Sequence, residues 1–158
     1  MREHGIKLNG DKLKNNYRNF LSLFSTGITS IVVKNKKIYE GITVNSFASV
    51  SLKPKIVIWC LDKNSRSKKN FLDKNKKYKI FFLSNKQKKV SQKLASSNNV
   101  FNDKYFNLIL QECLGYMDCK LFKTYNVGDH YLVLHKVLSY YIMKKQKPLI
   151  FYKSKYLS

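Results

Sequence analysis

The sequence predicts a mainly β protein with two or three flanking helices, its six or seven mostly antiparallel strands rolled into a closed or nearly closed barrel. Val, Ile, Tyr and Phe gather in short runs rather than long heptads, and eleven tyrosines and ten phenylalanines occur in 158 residues, a composition that suits pleated, half-buried surfaces. Several runs are apolar on both faces, as in strands covered from two sides. Helical periodicity occurs only between the strands, and a barrel is then the simplest way to leave few exposed edges.

Residues 11–25 place Leu13, Tyr17, Phe20, Leu21 and Phe24 at helical intervals, with Asp11 near the start and Gly27 past the end. This is an amphipathic helix whose apolar stripe is expected to cover one barrel face. Residues 28–34 and 38–50 form two strands around the polar turn Asn35-Lys36-Lys37, most directly an antiparallel hairpin. After Pro54, the continuous apolar run Ile56-Val57-Ile58-Trp59-Cys60-Leu61-Asp62 is a strand expected to be central. The stretch 63–75 holds a short helix, capped by Asn64 or Ser65, with Phe71 and Leu72 inward. A strand over 78–84 and a helix over 86–96, with Val90 and Leu94 inside, precede a loop at 97–107 that carries Phe101 and Tyr105. Long strands over 114–125 and 131–141 are joined through Asn126-Val127-Gly128-Asp129-His130, and 148–152 adds a short last strand. No repeat, linker or composition shift divides the chain, so 1–158 is expected to be one domain, long enough to bury roughly 70% of the surface its unfolded chain exposes.

The net charge is +22, from 31 basic and 9 acidic residues. Such a surface attracts phosphate-bearing partners. Yet only Arg2, Arg18 and Arg66 are arginine, and the lysines are scattered over turns and helix faces among many asparagines. Nucleic-acid readers rely on arginine forks and a recognisable motif, so that function is disfavoured. Cys60, Cys113 and Cys119 are odd in number and lack C-x-x-C spacing, which suits packing residues in a reducing compartment. The segment Met1–Lys7 has no apolar core, and the run Ile56–Leu61 is too short to span a bilayer, so no membrane is expected and a cytoplasmic location is.

Two stretches carry candidate chemistry. In an extended Tyr39–Pro54 segment, Thr43, Asn45, Phe47 and Ser49 share one face, and Val44, Ser46, Ala48 and Val50 the other. Hydrogen-bonding groups thus sit on both faces, either for neighbouring backbone or for a polar, planar ligand lying across the strand. Gly128-Asp129-His130 is by itself a hairpin turn with Gly at positive φ. Ser65 and Arg66 near a helix start form a candidate anion site, although Ser-x-Ser there is also ordinary capping. His130 and His135 fall on opposite faces of a strand and find no carboxylate or cysteine partner set, so a metal centre is disfavoured. A G-x-S-x-G elbow and a Rossmann glycine fingerprint are both missing.

The run Gly41-Ile42-Thr43-Val44-Asn45-Ser46-Phe47-Ala48-Ser49-Val50-Ser51-Leu52-Lys53-Pro54 resembles the signature G-M-T-A-N-S-F-x-S-V-S-L-x-P of the flavin-reductase-like, FMN-binding split-barrel family, departing only at Ile42 and Val44. Asp62-Lys63-Asn64-Ser65-Arg66-Ser67 resembles the family's phosphate-holding turn, Gly128-Asp129-His130 its Gly-Asp-His, and Tyr152-Lys153-Ser154-Lys155-Tyr156 its aromatic-Arg-Gly-x-Tyr terminus, with Lys for Arg and Ser for Gly. The likeness spans 17–156 and implies a split β-barrel that binds FMN, with FAD as an option. It implies that Thr43, Asn45, Ser46, Ser49 and Ser51 contact the flavin, Ser65 and Arg66 its phosphate, and His130 the nicotinamide of NADH or NADPH. Val44, Val50, Asn64, Asp129 and Lys153 join the same cofactor-binding set. The implied function is an NAD(P)H-dependent flavin reductase, usually a homodimer, that supplies reduced flavin to a separate monooxygenase. Hydride transfer asks the protein to hold two planar rings together and exclude water, so a missing triad counts little against it. Alternatives are a tightly held FMN within a larger oxygenase system, a non-catalytic flavin-binding module and, more remotely, a basic nucleic-acid-associated protein.

Overall fold

The computed structural model describes residues 13–143 and 145–157, with side chains from residue 17 onward. Helix α1 (Leu13–Leu21) leads into β1 (Thr26–Gly27), β2 (Thr29–Asn35), β3 (Ile38–Val44), β4 (Ala48–Leu52) and β5 (Lys55–Asp62). Then come α2 (Lys68–Phe71), β6 (Lys77–Phe82), a 3-10 turn at Asn85–Gln87, α3 (Lys88–Leu94), β7 (Val100–Phe101) and α4 (Asp103–Glu112). The long hairpin β8 (Gly115–Val127) and β9 (His130–Ile142) and the short one β10 (Ile150–Tyr152) and β11 (Lys155–Leu157) complete it. Eight strands lie in the order β4-β5-β9-β8-β6-β2-β3-β7, and β1-β10-β11 form a second sheet; the pairings are antiparallel.

The period of two sorts the large sheet into two cores. Inward-facing Ile31 and Val33 of β2, Val57, Trp59 and Leu61 of β5, Tyr78 and Ile80 of β6, and Cys119 and Leu121 of β8 meet in one cluster, joined by Phe71 of α2. On the outer face Val32, Tyr39 and Phe81 pack under Val90 and Leu94 of α3 and Ile109 of α4. Each fully buried Ile or Phe contributes roughly 1.5–3 kcal/mol, and both clusters hold several. Ile42 and Val44 of β3 pack on the same cluster as β5, although β3 and β5 share no ladder. The sheet is therefore rolled on itself and left open along one seam, which is the split of a split barrel.

The structure corrects several expectations. The signature is not one strand: its ladder stops at Val44 and resumes at Ala48 against β5, so Asn45-Ser46-Phe47 is a corner across the seam. The two-face alternation therefore fails beyond Val44. β5 is the second strand in the order rather than central. The 97–107 loop is in fact β7 followed by α4, capped by the Asn102 side chain, which accepts from the Tyr105 N–H at 3.1 Å. Among the described residues eleven strands replace the expected six or seven, because the signature divides and three very short strands appear at 26–27, 100–101 and 155–157. The stripe of α1 does not cover the barrel: Tyr17, Phe20, Leu21 and Phe24 are at least half exposed, and Asp11 lies outside the described residues.

Candidate functional site

A cavity of about 570 Å³ opens along the seam. One wall is the end of β3 and the corner, Ile42 to Ser46; the opposite wall is the end of β5, Cys60 to Asp62, and the turn Ser65-Arg66-Ser67. The far side is Leu94 to Ser97 with Asn99, and His130 stands at the rim.

Local chemistry sets each wall. A side chain at Gly41 would place its Cβ 3.0 Å from Leu94 and 3.2 Å from Phe101, so the missing Cβ lets the end of α3 seat against β3 beside the corner. There the Thr43 hydroxyl donates to the Ser91 carbonyl at 2.8 Å. With its proton used, Thr43 offers the cavity only an acceptor. Across the seam, the Cys60 N–H donates to Ser46 Oγ at 3.0 Å, a single bond that stands in for the absent ladder and leaves the Ser46 proton free to donate.

The 62–67 turn and the rim are built together. Asp62 pairs with His130 across β5 and β9. The Lys63 N–H donates to the Asp129 carbonyl at 3.1 Å, and Lys63 Nζ reaches the Gly128 carbonyl. Gly128 has φ +54, the left-handed conformation that glycine tolerates best. His130 Nδ1 lies 2.6 Å from Asp129 Oδ1; when Nδ1–H donates there, Nε2 is the free acceptor. Ser67, rather than Asn64 or Ser65, is the residue that starts α2, and its hydroxyl makes no capping bond. Ordinary capping therefore does not account for that serine.

Of the residues singled out from sequence, Thr43, Val44, Asn45, Ser46, Ser65, Arg66 and His130 converge on the cavity. Ser49, Val50 and Ser51 do not line it, because β4 turns away beyond the corner, and Val50 is about half exposed. Asn64 and Asp129 sit just behind the lining, Asn64 with its N–H on Asp62 Oδ1 at 2.7 Å and Asp129 behind His130. Lys153 is at the β10–β11 turn with φ +47, away from the cavity. The sequence reading missed Cys60, which it took for a packing residue, and Ser96, Ser97 and Asn99; Ser67 it held only as the last residue of the phosphate-holding turn. For Asn99 the readable signal was a polar Ser96-Ser97-Asn98-Asn99 run directly after a helix.

The model of the flavin reductase like domain matches residues 21–158. The reductase subunit HsaB of a flavin-dependent monooxygenase from Mycobacterium tuberculosis is 32% identical, over 89% of this chain and 79% of its own. The FMN reductase (NADH) SmoA of Agrobacterium fabrum is 29% identical over 82% and 77%. Among solved structures, component B of nitrilotriacetate monooxygenase from Mycobacterium thermoresistibile superposes with a TM-score of 0.77 at 27% identity, over 91% of this chain and 85% of that one. The flavin reductase component of a bacterial two-component tryptophan halogenase shares the fold with a TM-score of 0.81 at 20% identity, over 91% and 96%. A chain matched over most of its length by that domain model, and by a relative at 32% identity, belongs to the flavin reductase like domain family.

Proposed function

We propose that the chain is the reductase of a two-component flavin monooxygenase, taking hydride from NADH to reduce FMN or FAD that a separate oxygenase then uses. The observation that carries this is the seam cavity: hydroxyls, two amides, an arginine and a histidine from four separate segments converge on one opening. NADH is favoured over NADPH because relatives from Agrobacterium fabrum and Pseudomonas fluorescens are named as NADH-dependent.

The residues suit a flavin. The corner offers acceptors and donors of fixed sense at Thr43 and Ser46, as a ring edge with alternating carbonyl and N–H groups requires. Ser65, Arg66 and Ser67 would take the phosphate, and Arg66 is exposed with no ion pair among the described residues. Apolar Ile42, Leu61 and Leu94 give the ring a dry contact. When bound, the flavin supplies the hydride acceptor. His130 orients the nicotinamide, with Asp129 holding the imidazole in place. No strong acid or base is needed, and the protein's part is approach and exclusion of water.

The chain is also proposed to act as a homodimer in the cytoplasm. The half-exposed apolar stripe of α1 supports the dimer, and no helix among the described residues is long and apolar enough to cross a membrane. The test is anaerobic oxidation of NADH, and separately NADPH, with free FMN or FAD. Nucleotide oxidation that depends on added flavin is expected, with NADH the better donor. No oxidation with either flavin would overturn the reading; flavin binding without turnover would indicate a binding module.

A further inference from the structure

Asn99 and Ser67 are 32 residues apart in sequence and nearly fully buried, at 8% and 5% exposure. The Asn99 side-chain amide donates to Ser67 Oγ at 2.9 Å, and both line the seam cavity. Each is anchored from behind. The Asn99 carbonyl accepts from the Gly41 N–H at 3.0 Å, which fixes it to β3, and the Ser67 carbonyl accepts from the Asn70 N–H at 2.9 Å at the start of α2. Phe71, the last residue of α2, is wholly buried in the inner core. This one side-chain bond therefore ties two cavity walls that are each set in a separate core.

Its direction matters. An amide N–H can only donate, so the Ser67 oxygen accepts and its own proton is left over. That proton has no acceptor among the described residues. A hydroxyl held as acceptor by a buried amide becomes a donor with a fixed orientation, and a charge-assisted bond to an anionic oxygen is the strongest use of such a donor.

We propose that Asn99 is a positioning residue: by fixing the Ser67 hydroxyl as a donor into the cavity, it sets the site's preference for a phosphorylated flavin over the same ring system without phosphate. The inference rests on the flavin reading of the cavity and names the group within it that selects the phosphate. Without the amide, the Ser67 hydroxyl turns freely and the 62–67 turn loses its tie to the opposite wall.

The experiment compares FMN with riboflavin, which carries the same ring and ribityl chain but no phosphate, by fluorescence quenching on the full chain. Asn99→Ala should weaken FMN about tenfold, equivalent to about 1.4 kcal/mol, while changing riboflavin less than about twofold; the KM for FMN rises and kcat holds. Ser67→Ala should show the same pattern, and the double variant should be no worse than either single one. Ser67→Ala leaves Asn99 in place, so it tests the inference if Asn99→Ala fails to fold. Equal losses for FMN and riboflavin, or additive losses in the double variant, would overturn the positioning role. Wild-type protein that binds the two flavins equally overturns this inference alone, and wild-type protein that binds neither overturns the flavin reading as well.

Discussion

Two histidines five residues apart on β9 sit in opposite worlds. His130 is at the cavity rim, partly exposed, with Asp129 against its ring. His135 is wholly buried in the barrel, stacked on Tyr78 at 4.6 Å and edge-on to Trp59 at 5.8 Å, and neither ring nitrogen has a hydrogen-bond partner among the described residues. Burial pushes its pKa down from 6.5 to about 4. Strand parity alone separates them. The lesson is that residue type says little without the face it lands on: one imidazole opens onto the cavity, while the other is a neutral aromatic packing unit that costs stability whenever it is asked to charge.

The largest test of this contrast is pH. The folded pKa of His135 lies below its unfolded value, so the unfolded chain takes up a proton that the folded one refuses. Stability from this residue is therefore fully present above pH 6.5 and falls as pH drops from 6.5 toward 4, by about 3 kcal/mol over that window. His135→Leu should flatten the difference: urea unfolding of the two proteins would coincide within about 1 kcal/mol at pH 7 and separate in the variant's favour at pH 4.5. A wild-type curve parallel to the variant's would show that His135 is not buried as a neutral ring.

At the rim the effect moves from stability to substrate. His130→Ala should raise the KM for NADH about tenfold, roughly 1.4 kcal/mol, with flavin affinity nearly unchanged and the urea midpoint barely moved. Equal loss of both ligands would place the histidine elsewhere. Between core and rim lies the seam. Ser46→Ala removes the acceptor for the Cys60 N–H, which should cost about 1 kcal/mol of stability and also weaken flavin, because that residue belongs to both regions. Smallest is Lys63→Met, which removes an exposed side-chain tie between the two turns; a change under about 0.5 kcal/mol is expected in the same urea assay.

The barrel strands were legible because short runs rich in Val, Ile, Tyr and Phe mark them, but which side chains point inward, Ile31, Val33, Trp59 and Leu61 among them, was decided by the rolled sheet. Helix α3 was legible from its helical period, with Val90 and Leu94 inside. What escaped was α4, whose cap at Asn102 and apolar Phe106, Ile109 and Leu110 were masked by the expectation of a variable loop. The α1 stripe has the right period, but its Tyr17, Phe20 and Leu21 stay at least half exposed among the described residues. Half of the site was also readable, namely the residues whose identities form unusual local strings. Asn99 and its bond to Ser67 were not, since that bond joins segments 32 residues apart.

By itself the sequence determined the class of fold, the two hairpin turns and the family, because each depends on local patterning or on contiguous identities. Only the tertiary structure decided where the signature bends. Read as a string, Thr43 to Ser51 is one strand with polar groups on both faces; folded, it is a strand end, a corner and an edge strand. Rolling the sheet around its apolar core forces β3 and β5 to meet without a ladder. The polar groups gathered around that seam, Ser46, Cys60 and Asn99 among them, line a cavity because a long-range closure, and no local propensity, brings them together.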